Sequence, residues 1–103
     1  MKARVLSPAV DEIVEAAQWL ESQRVGLGAE FRQAVDQLLL DIERAPYRFA
    51  KSEFAKHDVD LRFALMRRFN YVVHFKIATD EIPIAAVAHG SRRPGYWIRR
   101  VRP

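Results

Sequence analysis

The chain has 103 residues, half of them apolar and 29% charged, with no cysteine and a formal net charge of +4. A chain of this size holds one hydrophobic core, so residues 1–103 are expected to fold as a single domain, and the composition excludes a disordered chain. The missing cysteines exclude disulfides, thiol catalysis and cysteine-ligated zinc, and apolar runs such as 84–88 fall far short of the roughly 20 residues that cross a bilayer.

In chain order, Met1-Lys2-Ala3-Arg4 is basic but leads into Ser7-Pro8 and Asp11-Glu12 instead of an apolar signal core, so a cytoplasmic location is expected. Residues 2–6 read as a short strand. It stops at Ser7-Pro8, where serine suits a helix N-cap and proline a first helical residue. Val10, Ile13, Val14, Ala17 and Leu20 then recur at three- and four-residue spacing, opposite Asp11, Glu12, Glu15, Gln18 and Glu21. That spacing predicts an amphipathic helix with acids near its positive end. Gly26-Leu27-Gly28 interrupts it, and Phe31, Val35, Leu38 and Ile42 form the stripe of a second helix, antiparallel to the first. Ala45-Pro46 ends that helix, because the residue before a proline is driven out of the helical region.

Residues 46–60 show no clear period and read as a long connection with one turn of helix. The period then becomes two. Leu61, Phe63 and Leu65 alternate with Arg62, Ala64 and Met66, and Tyr71, Val73, Phe75 and Ile77 alternate with Val72, His74 and Lys76, which predicts two paired strands. Residues 82–88 are apolar on both faces and predict a strand covered on both sides, with Pro83 near its start. The expected fold is therefore α+β: a helix hairpin on one face of a small twisted antiparallel sheet, in the order β-α-α-β-β-β, with a short C-terminal helix or tail. Phe31, Val35, Leu38, Tyr71, Val73 and Phe75 are expected to be largely buried between the layers.

Charge is unevenly divided. Residues 1–61 carry 8 Lys+Arg against 11 Asp+Glu, a net of −3, and residues 62–103 carry 9 against 2, a net of +7. Arg92, Arg93, Arg99, Arg100 and Arg102 crowd the tail, a pattern that suits nucleic acid or an acidic protein segment as readily as a solvated basic face. Two adjacent guanidinium groups, Arg92 and Arg93, can grip phosphate or carboxylate bidentately. Tyr96 and Trp97 can stack on a base or fill a partner pocket, or they can cap the open end of a small core. His89, at a strand end beside Gly90, has the chemistry of a general acid or base and equally of a structural hydrogen-bonder. His57, His74 and His89 are too scattered for a metal-ligand spacing, and no cofactor is expected. Trp19 lies off the main apolar stripe of the first helix, so it either packs under the long connection or stands exposed as a partner anchor.

Four segments, Gly26-Leu27-Gly28-Ala29-Glu30-Phe31, Pro46 at the second helix end, Arg68-Phe69-Asn70-Tyr71-Val72-Val73-His74-Phe75, and Ala86-Val87-Ala88-His89-Gly90-Ser91-Arg92-Arg93-Pro94-Gly95-Tyr96-Trp97, resemble in order the RelE/ParE family of type II toxins. The resemblance covers nearly the whole chain. It implies a toxin of a toxin–antitoxin (plasmid stabilization) system that inhibits growth and is neutralised by a cognate antitoxin in a hetero-oligomer, with Trp19 and Arg68 as expected antitoxin contacts. Arg92, Arg93, Tyr96, Trp97, Arg99 and Arg100 are the target-binding residues this resemblance implies, and Arg93, His89 and Tyr96 are the catalytic candidates should the site be hydrolytic. Ribosome-dependent messenger ribonucleases of this family often carry arginine just after the position of Tyr71, and lysines about where Phe63 and Leu65 stand; here the first position is Val72. That departure tilts the resemblance towards ParE-like inhibitors of DNA gyrase. The alternatives are a RelE-like ribosome-dependent endoribonuclease and an inactive relative acting only as a binding module.

Overall fold

A computed structural model describes residues 1–56 and 58–102, so His57 lies outside the described residues. The elements run β1 (Lys2–Val5), α1 (Ser7–Gln23), α2 (Leu27–Arg44), a 3-10 turn (Pro46–Arg48), β2 (Ala50–Lys51), β3 (Asp60–Met66), β4 (Tyr71–Ile77), β5 (Glu81–His89) and a 3-10 helix (Ile98–Val101). The five strands make one sheet in the order β1-β5-β4-β3-β2. The α+β layout is the one the periodicity predicts, but the sheet is mixed: β1 joins the edge of β5 in parallel, and the remaining pairs are antiparallel. β2 is an addition to the expected strands. It takes two residues of the long connection and sets Ala50 against Phe63 and Lys51 against Arg62.

The main core lies between the helix hairpin and one sheet face. Phe31, Val35 and Ile42 of α2 and Ala16, Ala17 and Leu20 of α1 meet Val73, Phe75, Ile82 and Ile84 from the strands. Leu38 and Tyr71 are partly buried and pack at its margin, while Phe31, Val35, Val73 and Phe75 are fully buried. Ser7 is the first helical residue instead of the N-cap; Leu6 holds the extended cap position and no side chain bonds there. Between the helices Gly26 takes φ 90°, a left-handed conformation that glycine adopts without steric cost. At Gly28 a Cβ would stand 2.6 Å from the Ala17 carbonyl oxygen, so the close helix contact requires glycine. The Glu21 carboxylate accepts the backbone N–H groups of Gly26 and Gly28 at 2.9 and 3.0 Å, which caps the start of α2 and holds the carboxyl below its usual range.

A bulge sets up the second face. His74 pairs with Ala86, but Phe75 pairs with Ile84, which leaves Ala85 without a partner on β4. Ala85 and Ala86 therefore join Leu61, Trp97 and Val101 in a second cluster on the side away from the helices. Residues 82–88 are buried throughout, as expected for a strand covered on both faces, and the second cover is the C-terminal tail.

Candidate functional site

β1 ends at Val5, its pairing with β5 reaching only Ile84, after which the Leu6 N–H meets the Ile84 carbonyl and the chain turns into α1. The next part of the β5 edge is finished by side chains. Glu12, from the second turn of α1, accepts the Val87 backbone N–H at 3.0 Å on Oε1. The same oxygen accepts Arg100 Nη1 at 2.9 Å, and Arg100 also donates to the Ala85 carbonyl at 3.1 Å. Glu12 Oε2 accepts the hydroxyl of Tyr96. The ion pair is largely withdrawn from solvent, with Arg100 and Glu12 side chains 22% and 13% exposed. Burial, followed by the bond to Glu12 and its charge, pushes the Tyr96 phenol up to about 12, so Tyr96 stays a neutral donor at physiological pH.

The ring of Tyr96 holds two arginines. Arg92 Cζ lies 4.0 Å from its centroid and Arg100 Cζ 5.1 Å, both within reach of the ring quadrupole. Beyond Arg92 opens a concavity of about 180 Å³, lined by Val72, His74, His89, Arg92, Arg93 and Tyr96, with Glu53 and Phe54 of the long connection at its side. Arg92 and Arg93 are both exposed, and Arg93 has no hydrogen-bond or ion-pair partner among the described residues. His89 Nδ1 accepts the Ser91 backbone N–H at 3.1 Å and lies 2.8 Å from the Ser91 hydroxyl, so the neutral ring carries its proton on Nε2. The His89 ring packs edge-on against Tyr71. His74 stacks under Trp97 and is held neutral, its pKa lowered to about 4 mainly by burial.

The expected target-binding residues therefore divide. Arg92, Arg93 and Tyr96 come together with His89. Arg99 is exposed on the 3-10 helix and does not line the concavity. Arg100 is committed to Glu12 and Ala85. Trp97 is 1% exposed, pressed between His74 and the edge of Phe54, and it serves the core instead of a target-binding surface. Of the two roles open to Trp97 from the sequence, capping the core is the one it fills. A tail that must cover the alanine floor of β5 needs one large apolar side chain to do so.

The two expected partner contacts stand apart. Trp19 is 59% exposed and lines an adjoining groove with Glu12, Glu15, Tyr71, His89 and Arg92. Arg68 pairs with Glu30 at 2.7 Å and lines a separate apolar groove with Leu38, Leu65, Met66 and Phe69. Arg62 is buried: its guanidinium donates to Asp60 at 2.8 Å and to the carbonyls of Tyr47 and Phe49 at 3.1 and 2.8 Å. Neither Arg62, Arg67, Arg68 nor Lys76 lines the concavity that holds Arg93. Among the described residues no three His, Asp or Glu side chains gather into a metal-holding group, and no helix is long and apolar enough to cross a membrane.

Glu12 ties α1, β5 and the tail together, a role its place in the sequence does not signal. An acid on the polar side of an amphipathic helix carries no local mark of burial. Compared with protein-family models and with curated proteins, the chain matches none.

Proposed function

We propose that this chain is the toxin of a type II toxin–antitoxin pair, ParE-like in action, acting in the cytoplasm on an essential target of which DNA gyrase is favoured. A cognate antitoxin neutralises it, with exposed Trp19 and the neighbourhood of Arg68 as contact points. The order strand, helix hairpin, connection, meander and basic tail is the one the RelE/ParE resemblance implies.

One observation carries the choice of target class. Arg92 and Arg93 are the cations of a concavity whose walls include Val72, neutral His74, His89, half-buried Tyr96 and the acidic Glu53, while Arg62, Arg67, Arg68 and Lys76 do not line it. Phosphodiester cleavage needs positive charge and proton donors converging on one phosphate. Two exposed guanidinium groups with no third cation beside them among the described residues, and Val72 in the wall, suit gripping an acidic surface better than bond breaking, although His89 is at hand as a proton donor. The test is a pair of purified assays on the wild-type protein. Inhibition of gyrase supercoiling, or trapping of cleaved DNA, with ribosome-bound message left intact is the expected result. Clean cleavage of ribosome-bound message, abolished in Arg93→Ala, makes the endoribonuclease the better account. Coexpression with the product of the adjacent reading frame should restore growth; a small acidic protein with an amphipathic helix is expected there.

A further inference from the structure

We infer that Glu12 is a positioning residue of the arginine site, setting through Tyr96 where the guanidinium of Arg92 stands. The inference rests on the reading of Arg92 and Arg93 as the target-binding pair.

Arg92 sits on an exposed loop after β5, and apart from the turn bond of its backbone N–H to the His89 carbonyl it has one side-chain support among the described residues, the face of Tyr96 at 4.0 Å. A loop arginine without a support samples many rotamers and loses that freedom on binding. Stacking on a fixed ring removes part of that loss in advance. The ring is fixed in turn by three restraints that converge on one carboxylate. Glu12 accepts the Tyr96 hydroxyl, it accepts Arg100 at 2.9 Å on its other oxygen, and it is itself anchored by the Val87 N–H at 3.0 Å. Arg100 is a second cation at the ring, 5.1 Å from its centroid, and the largely buried carboxylate offsets the repulsion between the two guanidinium groups. Glu12 is not needed to bury the tail, since Trp97 and Val101 do that from the apolar side. Its geometry aims one side chain: the direction of the Tyr96 plane, and with it the position of Arg92 over the concavity.

The experiment compares wild type with Tyr96→Phe and Glu12→Gln. Tyr96→Phe keeps the ring and its volume but cuts the tether to Glu12; Glu12→Gln keeps the shape and removes the charge. Two readouts are taken on each folded variant: the ring-current shift of the Arg92 δ-methylene protons by NMR, and the concentration that half-inhibits gyrase supercoiling. The expected result is that the upfield shift of Arg92 shrinks in both variants and that the half-inhibiting concentration rises about tenfold, the scale of one hydrogen bond to a charged group. Asp11→Asn, a neighbouring exposed acid, should change neither. A full Arg92 shift retained in Tyr96→Phe overturns the inference whatever Glu12→Gln does. So does a lost shift with undiminished inhibition. If the wild-type protein fails to inhibit gyrase, the target reading falls, and the NMR shift alone still decides whether Glu12 positions Arg92.

Discussion

The imidazole of His74 lies against the indole of Trp97, ring centroids 4.5 Å apart and planes 23° from parallel, and the Nδ1 of His74 is buried without a hydrogen-bond partner among the described residues. This stack joins the sheet to the tail that covers it.

Stability should fall as pH drops from about 6.5 towards 4. Burial lowers the His74 pKa to about 4 in the folded protein, with the charge of Glu12 opposing, against 6.5 in the unfolded chain. Between those values the unfolded state binds the extra proton, so the stabilisation is fully present above 6.5, is lost as pH falls through the window, and changes no further below 4. The scale is about 3 kcal/mol, from about 1.4 kcal/mol per pKa unit. Thermal midpoints measured across this range in wild type and in His74→Phe check it: the variant should lose that part of the slope, and parallel curves would exclude His74 as its source.

Trp97→Ala should cost about 3–5 kcal/mol in chemical denaturation, the range for emptying a large aromatic site in a core. Trp19→Ala, at a residue 59% exposed, should stay within about 0.5 kcal/mol of wild type. The same contrast should appear in fluorescence: Trp97→Phe leaves only the solvent-facing Trp19, so emission should shift to the red and quenching by iodide should rise. A spectrum unchanged in Trp97→Phe would contradict the burial of that indole.

The difference between these two tryptophans marks how far the sequence could be read. Trp19 was legible as an off-stripe residue because helical periodicity is local and α1 is seventeen residues long. The alternation of Tyr71, Val73, Phe75 and Ile77 was equally legible, since period two persists through the whole of β4. β2 was not, because two residues display no period. The parallel pairing of Lys2 with Glu81 and the contact of Arg100 with Glu12 link positions 79 and 88 apart in sequence; no local pattern records such choices. Trp97 stayed open because a single aromatic in a basic tail has the same local sequence whether it faces solvent or the alanines of β5.

Arg62→Ala should destabilise the fold by on the order of 2 kcal/mol, as expected when a buried guanidinium is removed and two backbone carbonyls and the partly exposed Asp60 are left unpaired. Its guanidinium holds Asp60 and the carbonyls of Tyr47 and Phe49, so the loss should centre on the junction of the 3-10 turn with β3. Hydrogen exchange should quicken at β2 and the start of β3 before it does in β5. Uniform exchange across the sheet would place the role of Arg62 elsewhere.

Arg93→Ala and Arg100→Ala should separate binding from folding within the same tail. Arg100 spends its donors on Glu12 and the Ala85 carbonyl in a setting only 22% exposed, so its removal strands a buried carboxylate beside Tyr96 and should cost about 2–3 kcal/mol. Arg93 stands exposed at the concavity with no partner among the described residues, so its removal should leave the unfolding midpoint within about 0.5 kcal/mol of wild type. On the proposed toxin reading its effect should fall on the target instead: growth arrest on induction of this chain alone should weaken sharply in Arg93→Ala, although the protein accumulates and melts as the wild type does. In Arg100→Ala part of the loss of arrest should track the loss of folded protein and be recovered by raising expression or lowering temperature; the remainder reports the loosened Tyr96 ring that carries Arg92. Full arrest by a folded Arg93→Ala would remove this arginine from the proposed surface and leave Arg92 to carry it alone.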